Sequence, residues 1–202
     1  MSIRDFLSAH GYHGHGEFEG HIQDVSEQVS DVIALTHGEN IQCMEIGFNA
    51  GHSAEILLKN NPTLTLTSFD IGARGCVNIG KKYIDSMYPG RHTLIIGDST
   101  LTVPNFIAAN KGKTFDVIFI DGGHDYNIAS ADITNCANLA NSNTTVIVDD
   151  TVSNKQLQAS WNHGPTRSWN EHVKSQKIIE IVSKDYCYGR GMSWGKYNKD
   201  FI

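Results

Sequence analysis

Residues 41–53 read Ile41-Gln42-Cys43-Met44-Glu45-Ile46-Gly47-Phe48-Asn49-Ala50-Gly51-His52-Ser53. A short apolar run stops at Ile46, two glycines follow four positions apart, and Ser53 opens a segment to Asn60 that reads as a helix. A largely apolar run of this length suits a strand buried on both faces, and glycine suits a backbone that passes close to something else. Outward from this stretch the pattern repeats. Leu64–Phe69, Thr93–Ile96, Phe115–Ile120 and Thr145–Val148 are further apolar runs, each followed by Gly, Asp or Ser. Between them Gly75–Met87, Val103–Asn110 and Asn127–Leu139 read as crossover helices, with Asn61-Pro62 and Pro89-Gly90 as stops. Strands and helices in alternation predict an α/β chain with a parallel sheet covered on both faces.

The carboxyl-terminal part breaks the alternation. A helical stretch over 166–176 leads to Ile178–Val182, then to Tyr188-Gly189-Arg190-Gly191 and Met192–Tyr197. Two runs joined by a glycine-containing turn predict a hairpin, and so a last strand antiparallel to the rest of a seven-stranded sheet. Residues 1–40 form a prelude: a Gly/His-rich loop from His10 to Gly16, then a helix from about Glu17 to Leu35 with Val25, Val29, Val32 and Ile33 on one face. The expected organisation is an N-terminal lid loop and helix over 1–40 and a ligand-binding α/β domain over 41–202. The amino-terminal helix serves equally as a lid or as a homodimer contact, since apolar periodicity does not choose between them.

Composition narrows the function classes. The 202 residues are 40% hydrophobic and 19% charged, which suits one folded core rather than a disordered chain. Sixteen Lys+Arg against 22 Asp+Glu give a net charge of -6, which disfavours nucleic acid as partner. No apolar run is long enough to cross a bilayer and the amino terminus does not read as a signal peptide, so the expectation is a cytoplasmic protein without a membrane partner. Cys43, Cys76, Cys136 and Cys187 stand singly, which fits neither a zinc knuckle nor a disulfide framework.

In an open α/β sheet, ligands bind at the carboxyl ends of the strands. Here those ends are Glu45 to Ser53, Phe69-Asp70-Ile71-Gly72, Gly97-Asp98-Ser99, Asp121-Gly122-Gly123-His124 and Asp149-Asp150-Thr151. The first loop is not a dinucleotide fingerprint, because Asn49 and His52 stand where G-x-G-x-x-G needs glycine, and no G-K-[ST] cradle is present. It reads instead E-x-G-x-x-x-G-x-S. Asp70 lies 23 positions after Gly47, at the next strand end, where a carboxylate can accept both ribose hydroxyls. Asp98 and Ser99, one strand further on, are placed to reach an adenine. Three further carboxylates, Asp121, Asp149 and Asp150, converge on the same edge, and such a group repels itself unless a cation neutralises it or its pKa values rise.

On these residues the chain resembles the class I S-adenosylmethionine-dependent methyltransferases, with a Rossmann-like sheet, and among them the metal-dependent small-molecule O-methyltransferases of the catechol and macrolide-sugar types. The resemblance runs over about 41–150. It implies S-adenosylmethionine as cofactor, bound through Glu45, Gly47, Phe48, Asn49, Gly51 and Ser53, through Asp70 and Ile71 at the ribose, through Asp98 and Ser99 at the adenine, and through Asp121. It implies a divalent cation, Mg²⁺ or another, on Asp121, Asp149 and Asp150, and a small-molecule hydroxyl as acceptor. Asp121 and His124 then stand as the catalytic residues, with His124 where the catechol enzymes carry a lysine base; a histidine of ordinary pKa, about 6.5, accepts a proton near neutrality. Asp150 stands where the catechol enzymes have asparagine, which leans the acceptor toward a sugar or polyol. Two alternatives stay open: a metal-independent enzyme acting on nitrogen or a macromolecule, in which these acids cap helices, and an inactive cofactor-binding module. Trp161 and Trp169 flank a turn where substrate walls are expected, and Tyr12 or His13 of the loop is placed to touch substrate.

Overall fold

Alternate residues of the first apolar run go to opposite faces, as a pleated strand requires. In β1 (Gln42–Ile46), Cys43 joins one core layer while Met44 and Ile46 join the other. Both faces are covered from Cys43 to Ile46, the buried Glu45 included, so the strand sits mid-sheet. The structure is a computed structural model and describes residues 1–14 and 21–200. After β1 come α3 (His52–Asn60), β2 (Thr65–Asp70), α4 (Cys76–Met87), β3 (His92–Ile96) and α5 (Ser99–Ala109). They are followed by β4 (Phe115–Ile120), α6 (Tyr126–Cys136), β5 (Ala140–Asp149), α7 (His163–Lys174), β6 (Ile178–Asp185) and β7 (Gly191–Tyr197). Among the described residues two α-helices precede β1: α1 (Ile3–Ala9) and α2 (Ser26–Leu35).

The seven strands lie in the order β3-β2-β1-β4-β5-β7-β6. The first five are parallel, and β7 runs antiparallel to both β5 and β6. This is the Rossmann-like sheet with a carboxyl-terminal hairpin that the sequence predicts. The strand order reverses between β1 and β4, which opens a crevice at their carboxyl ends. The ladder runs one residue past the strands there: Gly47 N–H donates to Phe69 O at 2.8 Å and Asp121 N–H donates to Ile46 O at 2.8 Å. One face of the sheet packs on the first four helices through Ile3, Leu7, Val32, Leu57 and Ile84. The other face packs on α5, α6 and α7 through Phe69, Val103, Ile133 and Trp169.

Three sequence expectations need correction. The helix expected from Glu17 starts at Ser26, because Ile22–Asp24 form a 3-10 turn and Val25 is extended (φ -123°, ψ 96°). His15, Gly16 and the start of that helix at Glu17 lie outside the described residues. The helix expected from Val103 starts at Ser99, because Asp98 caps it, its carboxylate accepting from the Thr100 N–H at 2.9 Å and the Thr100 hydroxyl at 2.7 Å. Trp169 is no substrate wall. It is 1% exposed in the core, and its indole N–H donates to Glu180. The helix α1 was not foreseen at all; Ser2 and Asp5 close a capping box at its start, and Ile3 and Leu7 are fully buried. Among the described residues no helix is long and apolar enough to cross a membrane.

Candidate active site

The crevice is a cavity of about 890 Å³ along the strand ends. Glycine makes it possible for backbone rather than ligand reasons. A Cβ on Gly47 would sit 1.8 Å from the Asp121 carbonyl oxygen, and Gly47 has φ +96°. The loops after β1 and β4 therefore touch through bare backbone, which holds the two central strand ends in register.

In one half of the cavity the ribose-type acid is pre-set. The Asn49 N–H donates to Asp70 Oδ2 at 2.7 Å and the Gly72 N–H to Asp70 Oδ1 at 2.7 Å. Each carboxylate oxygen keeps a second acceptor site for a ligand. Asn49 adopts a left-handed conformation (φ 48°) to present that N–H. Asp98 lines the same half beside Ser99. Its pKa is lowered by the hydrogen bonds from Thr100 that also cap α5. Behind Ser99, Asp132 of α6 is wholly buried, and burial pushes its carboxyl up to about 6.

Glu45, Phe48, Gly51 and Ser53 do not line the cavity; they brace the loop from below. Glu45 is 0% exposed and accepts from the Ser53 and Ser68 hydroxyls. Burial raises its pKa to about 7 against those two hydrogen bonds. The Ser68 hydroxyl meets His92 Nε2 at 3.0 Å, and the His92 ring stacks on Phe48 with centroids 5.0 Å apart. The loop thus rests on a buried polar chain that starts in β3.

The other half is acidic. Asp121 ends β4, and its pKa is raised well above the ordinary value by burial and by the charges of Asp149 and Asp150. His124 Nε2 lies 2.9 Å from Asp150 Oδ2. One donor atom each from Asp121, His124 and Asp150 come together within 4.8 Å of one another. Asp150 achieves this in a left-handed conformation (φ 56°), a geometry that Asp tolerates better than most side chains. Asp149 is turned elsewhere. Its Oδ1 accepts from the Gln28 amide at 2.5 Å, and its Oδ2 faces Arg190 Nη2 at 3.7 Å. Burial, then the charge of Asp150, raises the Asp149 carboxyl to about 7, while Arg190 and Gln28 pull against that rise. Burial opposes the charge on Arg190, yet Asp149, Asp150 and Asp121 hold its pKa above the usual guanidinium range.

The structure thus gathers Gly47, Asn49, Asp70, Ile71, Asp98, Ser99, Asp121, His124 and Asp150 around one cavity, and seats Asp149 just behind it. Trp161 lines the cavity beside His124, with ring centroids 6.5 Å apart. Asp24, Val25, Tyr188 and Arg190 also line the cavity, and Gln28 bonds Asp149 behind it; the sequence reading assigns none of these five to the site. The pairing of β7 with β5, and the approach of residues 24–28 to Asp149, bring these residues to the site. A glycine-flanked arginine in a hairpin turn, next to a sheet ending in three acids, is the one local signal that pointed to it.

No curated protein matches this chain in sequence. A family model described as "Methyltransferase domain" matches residues 44–151. Among solved structures, the chain is similar to an O-methyltransferase from Bacillus cereus in complex with SAH, at 16% identity and TM-score 0.73, covering 97% of this chain and 89% of that one. It is similar to a putative O-methyltransferase from Klebsiella pneumoniae at 17% identity and TM-score 0.69, over 97% and 88% of the two chains. A TDP-rhamnose 3'-O-methyltransferase of calicheamicin biosynthesis aligns at 15% identity and TM-score 0.65, over 88% and 80%. At these identities the likeness speaks for the fold.

Proposed function

The chain belongs to the methyltransferase-domain family, and on that premise we propose that it transfers a methyl group from S-adenosylmethionine to a hydroxyl oxygen of a small molecule, a sugar or polyol in preference to a catechol. The observation that carries this reading is Asp70. Its two oxygens are fixed by the Asn49 and Gly72 N–H groups and open on the same cavity as Asp98 and Ser99. Such an acid suits a ribose diol, and its neighbours suit the adenine. The cofactor supplies a sulfonium carbon as electrophile. The chain supplies placement: the loop after β1 holds one end of the cavity and the acid group the other, so an acceptor between them is aligned for in-line attack.

The acceptor half has Trp161 and Tyr188 as apolar walls and Asp121, His124, Asp150 and Arg190 as polar ones. A ring with one apolar face and an edge of hydroxyls fits that division. The residues also fit a divalent cation: Asp150 Oδ1 is buried without a hydrogen-bond partner, next to Asp121 and Asp149, whose carboxyls burial and neighbouring acid charge push up. A cation there would lower the pKa of the acceptor hydroxyl. The similarity to O-methyltransferases, one of them a TDP-rhamnose 3'-O-methyltransferase, supports the choice of oxygen and of a sugar-like acceptor.

Calorimetric titration of S-adenosylmethionine tests the core of the reading. Saturable one-site binding is expected, at least tenfold weaker in Asp70→Ala, and wild type that binds no cofactor would overturn it. Methyl transfer to a panel of sugars, polyols and catechols, with and without chelator, then tests the acceptor and the cation.

A further inference from the structure

We propose that the cation site is a mixed nitrogen–oxygen site built from Asp121, His124 and Asp150, with Asp149 withheld from it by Gln28 and Arg190. The inference rests on the methyltransferase reading for the ion's purpose, and on geometry for its place.

The spacing of the donors comes first. Two donors each about 2.1 Å from one ion, at right angles, lie about 3.0 Å apart. His124 Nε2 and Asp150 Oδ2 stand at 2.9 Å, and a donor of Asp121 completes a set within 4.8 Å. Asp150 is 5% exposed, and its second oxygen, Oδ1, is buried with no hydrogen bond. That carboxylate therefore has unused acceptor capacity inside the protein, where leaving it unmet is costly.

Asp149 is held away by two independent contacts. The Gln28 amide, from α2, donates to its Oδ1 at 2.5 Å, and Arg190 faces its Oδ2 from the β6–β7 turn. An ion that recruited Asp149 through Oδ1 would compete with the Gln28 amide, and through Oδ2 it would meet the guanidinium charge of Arg190. The Arg190 side chain is only 15% exposed, so it has little room to retreat. Arg190 thus acts as a resident counter-cation for the third acid, and the ion is left with two carboxylates.

The imidazole takes the third place, and the fold fixes it there. A Cβ on Gly164 would sit 2.1 Å from the His124 carbonyl oxygen. Helix α7 therefore packs directly against the His124 backbone and sets the loop that carries the ring. One imidazole nitrogen with two carboxylates suits Mn²⁺, Fe²⁺, Co²⁺ or Zn²⁺ better than Mg²⁺, which prefers oxygen donors and its own waters. A nitrogen lone pair given to an ion is not available to take a proton. His124 is then a ligand rather than the free base that the sequence suggested.

Electron paramagnetic resonance on metal-stripped, full-length protein tests this, with Mn²⁺ as the probe. One Mn²⁺ per chain is expected, with Mg²⁺ at least tenfold weaker in competition. The bound Mn²⁺ should show ¹⁴N coupling from a directly attached imidazole, retained in Asp149→Asn and lost in His124→Ala. Histidine labelled with ¹⁵N in the wild-type protein should move the coupling to ¹⁵N, a readout that needs no variant to fold. Absence of saturable Mn²⁺ binding, binding without nitrogen coupling, or coupling that survives His124→Ala would overturn the assignment. Cofactor titration on the same samples separates the two readings. Cofactor binding without the nitrogen-ligated ion removes only the metal assignment, and an intact ion site without cofactor binding removes only the methyltransferase reading.

Discussion

Glu45 is a carboxyl in the middle of a strand with no solvent contact, and burial raises its pKa to about 7. An acid raised in the folded state binds its proton more tightly there than in the unfolded chain. The stability it contributes is whole below the unfolded value of 4.5 and is lost as pH climbs through 7. The gap corresponds to about 3 kcal/mol. Glu45→Gln keeps a neutral group facing Ser53 and Ser68, so urea-unfolding midpoints should fall less between pH 5 and pH 8 in the variant than in wild type. An identical pH slope in the two proteins would show that Glu45 is not protonated in the fold. The same residue shows how a motif can mislead about role. Its acid is part of the loop pattern, yet it points beneath the loop to Ser68 and, through it, to His92. The residue in that loop that reaches the ligand-side acid does so by its backbone: the Asn49 N–H on Asp70. Backbone donors leave no trace in residue type.

At the scale of elements, the site is held by close backbone contacts between loops and helices. Gly164 in the first turn of α7 lies against the His124 carbonyl, and Gly80 of α4 lies against the Ala50 carbonyl, where a Cβ would be 2.2 Å away. Gly164→Ala should push the loop after β4 and cost about 1–3 kcal/mol as an overpacked contact. Its thermal midpoint should fall, and the affinity of the acid group for a divalent ion should drop several-fold while cofactor binding, which uses the other half of the cavity, stays near wild type. A variant with unchanged ion affinity would show that α7 does not position His124. Element boundaries follow caps more than periodicity. Asp98 starts α5 at Ser99 although Pro104 lies inside it, and the extended Val25 delays α2 to Ser26.

For the whole molecule, the amino-terminal segment is part of the core. Ile3 and Leu7 are fully buried, the Ile3 N–H donates to Glu55 at 3.2 Å, and Tyr83 donates to the same Glu55 carboxylate at 2.6 Å. Helix α1 is thus tied to α3 and α4, next to the loop that borders the cavity. Leu7→Ala should cost about 2–5 kcal/mol, as a core truncation does, and urea unfolding followed by circular dichroism and by tryptophan fluorescence should remain one coincident transition. Two separated transitions would mean that the first 40 residues fold as a unit apart.

The sequence by itself determined the layers, the strand count, the antiparallel last strand and the set of acids at the strand ends, because periodicity and chain punctuation are local and a βαβ chain has one common way to wind. It also placed Asp70, since the spacing of one βαβ unit fixes where the next strand ends. The tertiary structure alone decided which acids face the cavity and which are spoken for. Asp149 and Asp150 are neighbours in the chain, but one is turned to Gln28, 121 positions earlier, and to Arg190, while the other meets His124. Partners that far apart in sequence are chosen by how α2 and the β6–β7 hairpin pack beside β5, and no local pattern of residues encodes that choice.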